Sequence, residues 1–188
     1  MRHFESLLLD TNCLLNLYAT GHLRDICVSV PYAVWVTDYV VEHEALFIRR
    51  PGSTDSEDAK ETVDLNPLFK EGVCQQMCMS HPAEEATYVD LAAHLDDGEA
   101  ITGALAFHRG CSVATDDRKA RRVLGQLHPP LKLVSTLKLL KLWAEESRVP
   151  MDELASVMDE MQSCASYIPS VRDPLYDWWM SIFCRPGS

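Results

Sequence analysis

Short apolar runs alternate with amphipathic stretches along most of the chain. The apolar runs predict buried strands, and apolar residues spaced three or four positions apart predict helices. The predicted strands are Ser6–Leu9, Ala33–Val36, Thr62–Phe69 with Val73–Met79, Cys111–Ala114 and Leu131–Val134. The predicted helices are Cys13–Ala19, Tyr39–Arg50, Ala83–Leu95, Glu99–His108, Arg118–Leu127, Ser135–Glu146 and Met151–Ser166. Strands alternating with helices predict an α/β fold with three α/β/α layers and a small, mainly parallel central sheet.

Length and composition fit one globular unit with a helical addition. The 188 residues are 47% hydrophobic and 24% charged, which is ordinary for a globular protein. We expect residues 1–135 to form the main domain and residues 136–188 a helical extension packed on it. The segment Arg50–Asp58 is rich in Pro, Gly, Ser and acids, and it predicts a loop.

Charge and targeting patterns narrow the setting in which the protein works. The formal net charge is −11, which argues against broad binding of nucleic acid through a basic surface. No apolar run reaches the roughly 18 residues of a membrane span, and the start MRHFESLLLD does not resemble a signal peptide. We therefore expect a cytoplasmic protein without membrane contact.

Acidic residues follow the predicted strands. Asp10 ends the first strand, and Asp116 and Asp117 follow Cys111–Ala114. In an open parallel sheet, ligands bind outside the carboxyl ends of the strands. Glu99 begins the helix before that strand, and Glu42 and Glu44 lie after the second strand. Converging carboxylates repel one another, and a divalent cation such as Mg²⁺ or Mn²⁺ would neutralise them.

Each acid also has a purely structural interpretation. Asp96 and Glu99 have the spacing of a capping box, in which two side chains satisfy the first amides of a helix. Asp10, Asp116 and Asp117 could each cap the helix that follows. Glu42 and Glu44 could be solvated. Asp10 is the most informative of these acids, because it closes an otherwise apolar strand.

Four segments together resemble the PIN-domain family. They are LLLDTNCLL, VVEHEAL, LDDGEAITGALAFHRG and VATDDRKARRV, and they cover about residues 5–135. The resemblance implies a PIN-like nuclease domain over residues 1–135 that acts as a metal-dependent ribonuclease. Within the family this activity most often belongs to the toxin of a toxin–antitoxin pair. An RNA substrate, an antitoxin partner and a homodimer are implied in the same way.

The resemblance also implies site residues. Asp10 and Glu99 correspond directly to the family's acids. Glu44 fits the second acid better than Glu42, and both Asp116 and Asp117 are kept for the last. Residues implied to orient carboxylates or water are Thr11, Asn12 and Thr115, and Asp96 is an extra candidate ligand.

Two further patterns each have two interpretations. The basic residues Arg118, Lys119, Arg121 and Arg122 could contact substrate phosphate or form a solvated helix face. Trp178 and Trp179 could anchor a partner or pack on the protein's own core.

Two other functions compete with the nuclease hypothesis. One is a protein-binding module that keeps the fold but has weak catalysis. The other is a phosphohydrolase of the haloacid-dehalogenase type, which also begins with a strand ending in Asp. That class needs an acid two residues later, where this chain has Asn12.

Overall fold

Five parallel strands form the central sheet of the computed structural model, which describes residues 4–44, 46–49 and 60–183. The strands are β1 (Glu5–Leu9), β2 (Tyr32–Thr37), β5 (Cys74–Met77), β6 (Ser112–Ala114) and β7 (Leu133–Val134). Their order across the sheet is β5-β2-β1-β6-β7, and every neighbouring pair is parallel. The predicted α/β fold with a central parallel sheet is confirmed.

Strand β1 lies at the centre of the sheet and contributes to a core on each face. Leu7 and Leu9 belong to one core and Leu8 to the other, because successive side chains of a strand point to opposite faces. All three are 0–1% exposed. An uninterrupted apolar run is therefore what this position requires.

Helices cover both faces. The Leu7 face packs against α1 (Thr11–Ala19), α2 (Leu23–Ser29), α8 (Thr136–Glu146), α9 (Met151–Ala165) and α10 (Tyr176–Phe183). The Leu8 face packs against α5 (Pro82–Ala92), α6 (Asp97–Arg109) and α7 (Arg118–Leu124). None of the helices in the described part of the chain is both long and apolar enough to cross a membrane.

Two predicted elements between β2 and β5 are wrong. The helix predicted over Tyr39–Arg50 ends at His43 as α3 (Asp38–His43), and β3 (Phe47–Arg49) then pairs antiparallel with β4 (Lys60–Thr62). The strand predicted over Thr62–Phe69 is replaced by α4 (Asn66–Lys70). A proline in the first turn favours this helix, which the apolar residues around it had concealed. The predicted loop Arg50–Asp58 lies outside the described residues.

The C-terminal helices share the core of the sheet. Met158 and Met161 of α9 are fully buried, and Trp179 of α10 is 5% exposed within the same core as Leu7. Trp179 therefore packs on the protein's own core. The division into two parts at residue 135 stays a prediction.

Candidate active site

Asp10 lies at the carboxyl end of β1 with its carboxylate buried. Its backbone N–H donates to the Ala114 carbonyl at 3.0 Å, which continues the pairing of β1 with β6. Asp10 directly precedes α1, and its side chain makes no capping hydrogen bond to that helix, although a hydrogen bond with the adjacent Thr11 amide lowers its pKa. The helix-cap interpretation therefore does not account for this carboxylate.

The surroundings of Asp10 favour its protonated form. Its pKa is raised to about 6, mainly by burial and also by the charges of Asp96 and Glu44, against the lowering effect of the Thr115 hydroxyl. That hydroxyl donates to Asp10 Oδ2 at 2.9 Å. Thr115 thus fixes one oxygen of the carboxylate.

Asp96 and Glu99 form a capping box at the start of α6. Asp96 Oδ1 accepts from the Glu99 amide at 2.8 Å, and Glu99 Oε2 lies 3.4 Å from the Asp96 amide. Burial raises the pKa of Glu99 to about 7, with further contributions from Asp96, Asp10 and Asp117. The capping interpretation is therefore correct for this pair, yet both carboxylates also repel Asp10.

Asp116 and Asp117 point in different directions. Asp117 caps α7, since its Oδ1 accepts from the Lys119 amide at 2.7 Å and the Ala120 amide at 2.8 Å, and its charge raises the pKa of Glu99. Asp116 Oδ1 accepts from the Thr136 amide at 3.1 Å, which ties β6 to the start of α8. Burial raises the pKa of Asp116.

The two candidate glutamates after β2 also lie in different surroundings. Glu44 follows α3. Burial raises its pKa, the Thr11 side chain lowers this pKa, and the charge of Asp96 raises it. Its carboxylate lies so close to Gly98 that a methyl group there would collide with Oε1. Glu42 is directed to solvent, with 65% of its side chain exposed and Oε2 4.0 Å from His43 Nε2. Asn12 is exposed on the first turn of α1.

The pKa values of Asp10, Glu44 and Glu99 are each raised in part by the charge of a neighbouring carboxylate. We call these three residues, together with Asp96 and Asp117, the acidic cluster. Within residues 4–44, 46–49 and 60–183, no three His, Cys, Asp or Glu side chains stand close enough to hold one metal ion together. The donors are nevertheless all hard oxygens, which suit Mg²⁺ or Mn²⁺. The cluster fits such an ion by its chemistry, and its side chains would have to turn inward to coordinate one.

The predicted basic residues do not all face solvent. Arg118, Lys119 and Arg122 are exposed. Arg121 is half-buried, and its Nη1 donates to the Thr115 carbonyl at 2.7 Å and to the Val134 carbonyl at 3.3 Å. Arg121 therefore holds the ends of β6 and β7 together.

Two groups of residues near the cluster escaped prediction. Asp97 accepts from the Tyr88 hydroxyl at 2.9 Å and the Tyr39 hydroxyl at 3.4 Å, beside Asp96. Arg172 lies about 55 positions after Asp117 in the sequence, and it lines the same surface groove as Arg118. No local pattern reveals either association, because both arise from the packing of distant segments.

The fold and site together define a three-layer α/β protein with an acidic cluster at the carboxyl edge of its parallel sheet. A family model described as a PIN domain matches residues 6–172, and the chain belongs to that family. Its fold is accordingly of the nuclease type, and members of the family generally use divalent metals. No curated protein and no solved structure matches the chain.

Proposed function

We propose that this protein is a divalent-metal-dependent endoribonuclease that hydrolyses RNA phosphodiester bonds. The observation that carries the proposal is the position of Asp10. Its carboxylate is buried at a strand end, makes no capping hydrogen bond to α1, and is close enough to Asp96 and Glu44 for their charges to raise its pKa. Repulsion between these carboxylates does not stabilise the fold. The binding of a cation is therefore the simplest reason for their proximity.

Asp10, Glu44, Glu99 and Asp117 would hold Mg²⁺ or Mn²⁺, with Asp96 as an additional ligand. When bound, the ion supplies a Lewis acid that lowers the pKa of water and stabilises the leaving oxygen. Thr115 orients Asp10 through its 2.9 Å hydrogen bond. The Lys119 and Ala120 amides of α7 hold Asp117 in place.

Arg118, Lys119 and Arg122 would contact substrate phosphates beside the cluster. They are exposed and follow Asp117 directly in sequence, so their charges lie next to the cluster. Arg121 has a smaller part in this proposal, because its guanidinium group already binds two backbone carbonyls. Asp116 stays a further candidate ligand, although its Oδ1 already accepts from the Thr136 amide.

The test combines metal binding with cleavage. Mn²⁺ is titrated calorimetrically into the metal-free wild type and the Asp10→Asn variant, and cleavage of a quenched fluorescent RNA is followed with Mg²⁺ and Mn²⁺. We expect Asp10→Asn and Glu99→Gln to lose cleavage, and Asp10→Asn to lose saturable Mn²⁺ binding. The matched control is Asp90→Asn, which removes an exposed carboxylate of α5. Full cleavage by either cluster variant would refute the mechanism.

A protein-binding module with weak catalysis is the second candidate. The separation of the carboxylates favours it, since no group of three in the described residues is arranged around one ion. The absence of Mn²⁺ binding both with and without RNA would support this candidate over the first. The haloacid-dehalogenase hypothesis gains no support, since the chain belongs to the PIN-domain family.

The more specific roles rest on the family resemblance. We propose that the protein is the toxin of a type II toxin–antitoxin pair, that it forms a homodimer, and that it works in the cytoplasm. Light scattering of the purified protein tests the dimer. Growth arrest on induction, which Asp10→Asn should abolish, tests the toxin role.

A further inference from the structure

Two buried residues, Cys13 and Thr136, contact the Asp116 carboxylate. Cys13 lies in the first turn of α1, Thr136 is the first residue of α8, and Asp116 follows β6. Cys13 and Thr136 are both 0% exposed, and they stand 123 positions apart in the sequence. The fold therefore brings the starts of two helices to this carboxylate at the carboxyl edge of the sheet.

Three hydrogen bonds close a ring through these residues. The Thr136 amide donates to Asp116 Oδ1 at 3.1 Å, and the Cys13 thiol donates to Asp116 Oδ2 at 3.7 Å. The Thr136 hydroxyl in turn donates to Cys13 Sγ at 3.0 Å, which strengthens the thiol as a donor. Because each carboxylate oxygen has a donor at the start of a helix, the ring favours one orientation of Asp116.

The ring lies close to Asp10, in surroundings from which water is largely excluded. Burial, and then the charges of Asp116 and Asp10, raise the pKa of the Cys13 thiol. The thiol therefore keeps its proton at neutral pH and acts as a donor. Tyr167 is 6% exposed, and its pKa is raised mainly by burial and also by the charges of Asp116 and Cys13. A hydrogen bond in such surroundings is electrostatically stronger than the same bond in water.

Packing alone does not account for a cysteine at position 13. The Cys13 side chain belongs to the core that contains Leu7, and an apolar side chain of similar size would fill the same space. Such a side chain would leave Asp116 Oδ2 without the thiol donor. A thiol that keeps its proton is also a poor ligand for Mg²⁺ or Mn²⁺, which prefer oxygen donors. The role that fits Cys13 is therefore that of a hydrogen-bond donor.

We propose that Cys13 and Thr136 are positioning residues of the candidate metal site, which hold Asp116 as a ligand of the ion that Asp10 binds. Each carboxylate oxygen has two lone pairs, so Asp116 can accept these hydrogen bonds and still coordinate an ion. This inference rests on the proposed function, because it adds a ligand, and the residues that orient it, to the same site.

The test compares two substitutions of Cys13 that packing and positioning rank in opposite order. Alanine removes the donor but suits a buried apolar position, whereas serine keeps a donor and costs more to bury. We expect Cys13→Ala to lower Mn²⁺ affinity about tenfold in calorimetry, and Cys13→Ser to keep most of it. In RNA cleavage, Cys13→Ala should lower kcat and leave KM unchanged, because a fully buried side chain does not touch the substrate. Thr136→Val removes the hydroxyl at nearly constant size and should act in the same direction as Cys13→Ala.

An infrared measurement detects the thiol contact without metal or RNA. The S–H stretching band of Cys13 is obtained in EDTA as the difference between a protein with Cys13 and the same protein carrying Cys13→Ser. In the Asp116→Asn variant this band should lie at higher wavenumber, because a neutral amide is a weaker acceptor than a carboxylate. An unchanged band would overturn the proposal whether or not the protein is a nuclease.

The matched control is Cys27→Ala. Cys27 is 6% exposed in α2, and its pKa is raised to about 12 by burial and by the neighbouring Cys74. Cys27→Ala should lose a similar amount of stability in urea denaturation and keep the wild-type Mn²⁺ affinity. Circular dichroism confirms that each variant is folded, and Thr136→Val keeps the test valid if Cys13→Ala does not fold.

The outcomes separate this proposal from the proposed function. Wild-type Mn²⁺ affinity in both Cys13→Ala and Thr136→Val, or equal losses in Cys13→Ala and Cys13→Ser, would overturn the positioning role and leave the nuclease mechanism intact. Failure of the wild type to bind Mn²⁺, with or without RNA, would refute both. A wild type that binds Mn²⁺, with the expected ranking of the variants, but cleaves no RNA would refute only the proposed catalysis.

Discussion

Replacing Asp10 with asparagine is expected to stabilise the metal-free protein at pH 8 while abolishing metal-dependent cleavage. Burial, followed by the charges of Asp96 and Glu44, raises the pKa of Asp10 from its ordinary value of 3.8 to about 6. At 1.36 kcal/mol per pH unit, this difference corresponds to about 3 kcal/mol of destabilisation when the carboxylate is charged. Asparagine is neutral at the same size, and its Oδ1 can still accept the Thr115 hydrogen bond.

The effect has a definite dependence on pH. The folded protein holds a proton on Asp10 that the unfolded chain has already released, so the folded state binds more protons between about pH 4 and pH 6. The free energy of unfolding therefore falls as pH rises through this window. Glu99, whose pKa is raised to about 7, extends the fall by about one further pH unit. About half of the Asp10 effect is expected at pH 5, and nearly all of it at pH 8.

Urea denaturation followed by circular dichroism, in EDTA at pH 5 and pH 8, measures these free energies. Asp10→Asn should exceed the wild type at pH 8 by up to about 3 kcal/mol, and by less at pH 5. Asp90→Asn, which removes an exposed charge, should match the wild type at both pH values. If Asp10→Asn were equal to or less stable than the wild type at pH 8, the charged Asp10 carboxylate would not destabilise the fold as we infer.

Three other variants test residues that position the carboxylates of the cluster. Thr115→Val removes the donor to Asp10 and should lower metal affinity and cleavage about tenfold or more, as measured by calorimetry and RNA turnover. Gly98→Ala places a methyl group against Glu44 and should reduce cleavage by up to about 100-fold, while its melting temperature is kept or raised because alanine favours a helix. Wild-type cleavage by Gly98→Ala would show that Glu44 is dispensable. Asp117→Ala removes the cap of α7 and should cost about 1 kcal/mol in urea denaturation as well as activity.

The strands that position the cluster could be predicted from the sequence, because each is a continuous apolar run followed by an acid. Strand β1 with Asp10 is the clearest instance. Helix α2 and the antiparallel pair of β3 and β4 could not be predicted, since they are short and have no distinct apolar period. Their conformation depends on packing against the rest of the core.

The choice between Asp116 and Asp117 was beyond the reach of sequence for a different reason. Both follow β6 and both could cap α7. The Thr136 amide donates a hydrogen bond to the Asp116 side chain, whereas the α7 amides donate to the Asp117 side chain. These bonds decide where each carboxylate points. Neighbouring carboxylates on one turn are separated only by such tertiary contacts.

Structural and chemical roles coincide in most of the acidic cluster. Asp96 and Asp117 each satisfy helix amides and also repel Glu99, so capping itself fixes a negative charge at the edge of the sheet. Backbone donors offset part of the cost of each of these charges, which is why a fold can retain them without an ion. Asp10 makes no capping hydrogen bond to α1 and is the most deeply buried member of the cluster. The sign of the stability change therefore distinguishes the two kinds of acid. Removing a cap destabilises the fold, whereas neutralising Asp10 stabilises the fold and abolishes only the cleavage.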